Sequence, residues 1–286
     1  MEIELIESDT ARMDDYIALY QACFPQADKL RRQYLNWLYI DNPEGRALGA
    51  DAVCDGKVIG QVIALPGRYR LRGRQVRGLV AVNVAVHPDF QGKHLFKRLG
   101  LKMCEFGALR GFEFVIGVAN AAATPGWVRQ MGFQLVGPLQ ARVGLGALNA
   151  RACEEGLAQA DLFQEWGDAA LQWRSKSPVN PVALKRGADG QLRVFASAGK
   201  PGMTALAVLP PAAHEKVQPN ELGAGLLSAK VFVGNIPGYR FGVNFQPIPE
   251  RLKPSPLNLI YKNLVDNTDK LSLDKCYITF LDFDAF

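Results

Sequence analysis

The chemistry in this chain is concentrated in the run NVAVHPDFQGKHLFKRLGLKMCEFGALRGFEFVIGVAN, residues 83–120. An apolar β-rich stretch runs into a tight glycine-containing loop, and the loop runs into a helical pattern from Leu95 to Leu109. The first turn of a helix has amides without partners and a partial positive end. That geometry cradles phosphate oxygens, and Lys93, Lys97 and Arg98 add cations beside it. An ordinary strand–turn–helix with a lysine-rich surface has the same outline, so physics alone leaves both readings open. The dinucleotide glycine pattern and the ATP loop GxxxxGK[ST] are both absent.

The elements that must position this loop follow from periodicity. MEIELIES alternates as a strand does, and Asp9 or Thr10 can cap a helix over Asp14–Cys23. A second helix is expected over Lys29–Tyr39, ending before Asn42-Pro43. A strand meander follows, with Asp55-Gly56 and Arg72-Gly73 as hairpin turns. After the long helix come a strand at Phe114–Val118, a short helix around Pro125–Met131 and a strand around Phe133–Val136. This order describes an α/β chain with a mixed sheet flanked by helices.

With those elements in place, the loop resembles a known family. Pro88-Asp89-Phe90-Gln91-Gly92-Lys93-His94-Leu95-Phe96 is similar to the acetyl-CoA pyrophosphate loop of the GNAT acetyltransferases, [QR]-x-x-G-x-[GA]. Val84-Ala85-Val86-His87-Pro88 is similar to that family's V-x-V-x-P strand end, and Asn120 followed by Gly132-Phe133 is similar to its second motif. The resemblance covers about residues 1–137 and implies a GNAT-type fold with acetyl-CoA as cofactor. The implied cofactor contacts are Asn83, Val84 and Val86 on the strand, Gln91, Gly92, Lys93, His94, Leu95 and Phe96 on the loop, and Asn120.

Two positions depart from the family pattern. His94 stands where the motif has its central glycine, and Phe96 where it has a small residue. Histidine tolerates the left-handed region better than most non-glycine residues, so the turn is expected to form. The family often places a general-acid tyrosine four residues before the Gly of Gly-Phe; here that position is Val128. A thiolate of intrinsic pKa near 8.5 needs little help to leave. The acid–base candidates are then His87 at the strand end, Asp89 in the loop, and tail carboxyls at Asp282, Asp284 and the terminal Phe286. The tail LDFDAF alternates, which puts its aspartates on one face of an expected strand.

Beyond residue 148 the chain begins again. DLFQEWGDAALQWR is helical in pattern, five strand-like runs follow, and Gly137–Asp161 reads as a bridge. Leu35–Trp37 leads to Asn42-Pro43, and Leu171–Trp173 leads to Asn180-Pro181, with the tryptophans 136 residues apart. The tail LNLIYKNLVDNTDKLSLDKCYITFLDFDAF also resembles a longer GNAT subgroup with a second, degenerate half. The expectation is two tandem GNAT-like domains. The first, 1–148, holds the acyl-CoA site; the second, 149–286, lacks the loop and shapes an acceptor pocket.

Composition narrows the functional classes. The chain has 286 residues, a net charge of +5 and 48% hydrophobic residues, ordinary for a globular protein. The arginines at 68, 70, 72, 74 and 77 carry only Tyr69 between them, which reads as a solvated ribbon or an anion-attracting rim rather than a nucleic-acid groove. Five scattered cysteines without a CxxC pair read as free thiols in a reducing cytosol. Three histidines without ligand spacing, His87, His94 and His214, argue against a metal site. No apolar run reaches membrane-span length, and the acidic first residues do not read as a secretory signal. The expected activity is cytoplasmic N-acetyl (acyl) transfer from acetyl-CoA to a small-molecule amine, an amino sugar being one option, without nucleic-acid or membrane partners. A non-catalytic acyl-CoA-binding module is the alternative.

Overall fold

The computed structural model describes residues 2–187, 189–209, 228–249 and 256–283. The chain divides into two compact units that are interleaved in sequence. The first comprises Met1–Gly67, Val76–Leu135 and Asn258–Lys270; the second comprises Arg68–Gln75, Val136–Leu257 and Leu271–Phe286.

In the first unit, β1 (Glu4–Glu7) is followed by a turn that Asp9 caps through its Oδ1, and then by α1 (Met13–Cys23) and α2 (Arg32–Tyr39). Helix α2 buries Tyr34, Leu35, Trp37, Leu38 and Tyr39 and ends before Asn42-Pro43. Asn42 then ties the chain down, donating from Nδ2 to the Pro66 carbonyl at 3.0 Å. Strands β2 (Leu48–Cys54), β3 (Lys57–Leu71) and β4 (Arg74–Val86) form the expected meander. Both hairpin tips pair a left-handed residue with a left-handed glycine, Asp55-Gly56 at φ 49° and 76° and Arg72-Gly73 at 48° and 76°. Two successive positive φ values twist the turn to match the strands.

Helix α3 (Leu95–Leu109) has the bounds expected from its pattern and buries Leu95, Leu99, Met103 and Cys104. These side chains share one core with Ala50, Ala52, Ile59, Val62, Leu79, Val115 and Trp127. Strand β5 (Phe114–Ala119) runs parallel to β4. The chain then makes a wide helical turn at Gly126–Gln130 and enters β6 (Gln134–Pro138). The stretch read as a bridge, Gly137–Asp161, contains two elements: β7 (Gln140–Gly144) and α4 (Ala150–Ala158), the latter capped by Asn149 onto the Ala152 amide at 3.1 Å. DLFQEWGDAALQWR is also not one helix. Its start is β8 (Leu162–Gln164), and only Asp168–Ser175 is helical, as α5.

In the second unit, α5 leads to an antiparallel meander of β9 (Ala183–Arg186), β10 (Leu192–Ser197) and β11 (Met203–Leu209). Strand β12 (Ala229–Asn235) runs parallel to β11, and β7 lies antiparallel along its other edge. Strand β13 (Phe245–Pro247) pairs with β7. The late strand β14 (Asn258–Asn263) belongs to the first unit, antiparallel to β5 along its whole length. Strand β15 (Cys276–Thr279) runs parallel to β8, and β8 also pairs with the tip of the β3–β4 hairpin. Each unit therefore repeats one order. A helix leads into three antiparallel strands, a fourth runs parallel to the third, and a fifth lies antiparallel along the fourth.

The tail departs from its expected strand. After Thr279 the chain enters a 3-10 turn, Phe280–Phe283, so period-two spacing does not place Asp282 on a strand face. Asp282 is 6% exposed and turns back to accept from the Thr279 amide at 2.6 Å and Trp166 Nε1 at 2.8 Å. Asp284 and Phe286 lie outside the described residues, as does His214. All five cysteines are free, and burial pushes the thiols of Cys104, Cys153 and Cys276 up to about 12. Among the arginines of the hairpin tip, Arg70 pairs with Glu165 at 2.5 Å, and Tyr69 between them is fully buried.

Candidate active site

The two parallel strands of the first unit part company before they end. Their pairing runs from Gly78 with Phe114 to Ala81 with Gly117 and stops there. Yet β4 continues to Val86, and β5 continues to Ala119 under full pairing with β14. The cause is visible in the packing. Leu79 and Ala81 face the core shared with α3, and so do Val84 and Val86. Strict alternation cannot put 81 and 84 on one face, so β4 carries an extra residue at Val82–Asn83. Beyond that bulge the β5-side edge of β4 is open. The His87 amide bonds back to Ile59 of β3 at 2.9 Å, so residues of His87's parity serve β3. Val84 and Val86 thus turn their backbone groups to the open edge.

The loop at the end of β4 is built to present amides. His87 caps a one-turn helix, Pro88–Phe90, its Nδ1 accepting from the Asp89 amide at 3.3 Å. Gly92 follows at φ 76°, and His94 takes the left-handed conformation at φ 55°, ψ 22°. That is the glycine-like geometry expected of this position. Among the described residues no acceptor meets the amides of Gly92, Lys93, His94, Leu95 or Phe96. They open directly onto the positive end of the 15-residue helix α3. Phe96 points inward: its ring meets Trp127 edge-on at 5.3 Å and fills the space that a side chain at Gly126 would need. What it offers outward is its backbone amide. Lys93 is exposed, its Nζ 4.9 Å over the Phe90 ring.

On the opposite face of the sheet, against α1 and α2, lies a buried polar chain. Asp51 is fully buried on β2 and Gln61 fully buried on β3. The Asp51 carboxylate accepts from Ser8 Oγ at 2.6 Å, Gln61 Nε2 at 2.9 Å and Tyr16 hydroxyl at 2.7 Å. Gln61 in turn accepts from Tyr20, whose hydroxyl is 2.7 Å from that of Tyr39. Tyr39 is met by Asn83 Nδ2 at 2.6 Å. Desolvation raises the Asp51 carboxyl above its usual range, and its three donors pull it back. Desolvation likewise holds Tyr20 and Tyr39 as neutral phenols. The sequence reading picked out Asn83 and missed the rest. The available signal was one polar residue in each of two apolar runs, LGADAVC and VIGQVIAL.

The remaining candidates fall as follows. His87 and Asp89 are brought together, Nδ1 to Oδ2 at 3.7 Å, with the Asp89 side chain 81% exposed. Asn120 spends its Oδ1 on the Ala123 amide at 2.9 Å, closing the turn after β5. Thr124 donates to the Asn120 carbonyl at 2.7 Å and accepts from Asn258 of β14 at 3.0 Å, which fixes that turn to the neighbouring strand. Val128 is partly buried against the core. Among the described residues no group of histidine, cysteine and carboxylate side chains could hold a metal. No helix among them is long and apolar enough to cross a membrane.

The sheet opening and the loop that leads into α3 fall within the one segment that a family model matches. Residues 4–136 match the model of the acetyltransferase (GNAT) domain. This segment is a GNAT acetyltransferase domain. No curated protein matches the sequence. Among solved structures, a conserved protein of unknown function from Enterococcus faecalis, described as a probable N-acyltransferase, has a TM-score of 0.63 at 10% identity, over 92% of this chain and 73% of that one. A GCN5-related N-acetyltransferase from Kribbella flavida has a TM-score of 0.56 at 13% identity, over 92% and 72% of the two chains. A putative acetyltransferase from Pyrococcus horikoshii covers 98% of this chain and 95% of its own, at 11% identity and a TM-score of 0.54. At these identities the likeness is one of fold. The GNAT domain match ends within β6, so α4, α5 and the strands β7–β15 lie beyond the matched segment.

Proposed function

We propose that the protein is an acyl-CoA-dependent N-acyltransferase, moving an acetyl group from acetyl-CoA to the amine of a small molecule. The observation that carries this reading is the continuity of the loop with the strand opening. Unpartnered amides from Gly92 to Phe96 lead to the edge of Val84 and Val86, which β5 does not pair and where the Val86 carbonyl meets only the Gln91 side chain, Nε2 at 3.4 Å. An acyl-CoA has the matching parts: a pyrophosphate for the amides, and a pantetheine arm whose amides bond to a strand edge. Bound there, it supplies an activated thioester carbonyl.

The chain's residues would do the rest. Gln91–Phe96 hold the diphosphate, Lys93 adds an exposed cation, and Val84 and Val86 hold the arm. Asn120 Nδ2 is left to the ligand by the bond its Oδ1 makes to Ala123. An amine nitrogen forms the new bond to the carbonyl carbon as the carbon–sulfur bond breaks. The nitrogen loses one proton, and the sulfur leaves as a thiolate that takes up one. His87 and Asp89 are the loop groups able to take that proton. Val128 cannot protonate the thiolate, and the low basicity of a thiolate makes solvent an adequate donor. The second unit, with its repeated strand order, is read as a degenerate GNAT-like half without a cofactor loop of its own. Val128 and the lack of a carboxylate on Leu79–Val86 favour a second reading, a binding module without turnover. Calorimetry with CoA, run beside CoA release over a panel of amines, separates them. Binding with turnover supports the transferase, binding without turnover over the whole panel supports the module, and no binding overturns both.

A further inference from the structure

We propose that Asn83 positions the attacking amine: its Oδ1 accepts an N–H of the incoming substrate, and a one-way hydrogen-bond chain anchored at the buried Asp51 fixes which way its amide points. The proposal rests on the acetyl-transfer reading and assigns a side chain to the acceptor half of that site.

The direction of the chain follows from counting donors. A carboxylate accepts and cannot donate. Asp51 therefore fixes the Gln61 amide with Nε2 toward itself, at 2.9 Å, and Oε1 toward Tyr20. Tyr20 must give its single hydrogen to that oxygen, so the 2.7 Å contact between Tyr20 and Tyr39 has Tyr39 as donor. Tyr39 has then spent its hydrogen and can only accept from Asn83, whose Nδ2 lies 2.6 Å away. The anion at one end thus sets the orientation of an amide four side chains on. Asn83 Oδ1 is the one atom of the chain left over, and among the described residues no donor meets it.

The place is as telling as the polarity. Asn83 sits in the β4 bulge, half-buried, where pairing with β5 has just ended. Its side chain leaves the sheet on the α1–α2 side, opposite the core that α3 covers. An amine that reaches the opening from that side meets a fixed acceptor, which takes one N–H and aims the lone pair away from it. The chain cannot itself carry off the amine proton, because neither amide, Gln61 or Asn83, takes up a proton near neutrality. It orients and does not titrate.

The test uses the full chain with four variants: Asn83→Leu, Tyr39→Phe, Asp51→Asn, and the double variant Asp51→Asn with Gln61→Glu. The double variant moves the anion one link along, so Tyr20 must still donate to residue 61. Steady-state kinetics with the best amine, CoA calorimetry and thermal melting are read together. Asn83→Leu is expected to lower kcat/KM for the amine by about a hundredfold, and Tyr39→Phe and Asp51→Asn by about tenfold, with CoA affinity unchanged. The double variant is expected to recover most of the loss, which a role in packing alone would not produce. Wild-type turnover in Asn83→Leu and Tyr39→Phe overturns the proposal. So does a double variant that melts like the wild type and stays as slow as Asp51→Asn. A wild-type protein that binds CoA and acetylates nothing overturns the transfer reading instead. In that case the side-chain amide resonances of Asn83 still report the chain: one exchange-protected, shifted Nδ2 proton in the wild type and the double variant, lost in Asp51→Asn.

Discussion

Replacing His94 by glycine should leave the protein as stable as before or slightly more so, and replacing it by valine should damage both stability and CoA binding. His94 sits at φ 55°, ψ 22°, directly before α3, and its side chain makes no capping bond. The left-handed conformation costs an L-residue about 1–2 kcal/mol. Glycine removes that cost and adds roughly 0.5–1 kcal/mol of unfolded-chain entropy, for a net gain of about 0.5 kcal/mol. Valine retains the penalty and adds the crowding of a branched Cβ, for a loss of about 1–2 kcal/mol relative to histidine. Because the adjoining amides form the proposed anion cradle, a distorted turn should also weaken CoA by tenfold or more, about 1.4 kcal/mol. Urea unfolding and calorimetry read the two effects separately. A glycine variant destabilised by more than about 1 kcal/mol, or a valine variant that binds CoA normally, would show that the left-handed turn does not shape the cradle.

Gly92→Val meets no protein atom, since nothing lies within 4 Å of its added Cβ, but φ is 76°. It should weaken CoA by at least about tenfold, and unchanged affinity in calorimetry would remove the loop from the site. Gly126→Ala drives its new methyl into the Phe96 ring; thermal melting should show a loss of about 1–3 kcal/mol from overpacking. Burial raises the Asp282 carboxyl from 3.8 to about 6, against the bonds from Thr279 and Trp166. A raised carboxyl favours the protonated folded state, so its contribution is full below pH 4 and is lost as pH rises through about 6, by up to about 3 kcal/mol. Urea midpoints of the wild type relative to Asp282→Asn should therefore fall between pH 4 and 7; a flat difference contradicts this.

Local signals read from the sequence survived where one cause dominates. The Leu95–Leu109 helix has an uninterrupted apolar period, and Asp55-Gly56 and Arg72-Gly73 are turns whose chemistry allows little else. Reading failed where a long-range partner decides. Leu162–Gln164 is a strand because β15 and the hairpin tip flank it, although its composition continues smoothly into a helix. The tail aspartates alternate as a strand would, but Asp282 finds Thr279 and Trp166 and the chain coils around them. The loop half of the candidate site was legible because glycine, cations and a helix start are contiguous. The Asp51–Asn83 chain was not, because its members are spread from Ser8 to Asn83 and only the fold lines them up.

The placement of β14 has a consequence for how the chain is made. The strand that flanks β5, Asn258–Asn263, is separated from it by about 140 residues of sequence. As the polypeptide emerges from the ribosome, β5 waits with one edge unpaired until nearly the whole chain has been synthesised. At roughly 5–20 residues per second that is a delay of several seconds or more. During it an apolar strand edge is available to other nascent chains, and the GNAT domain cannot close its sheet. A nascent fragment stopped after residue 148 should therefore lean on chaperones where the finished protein does not.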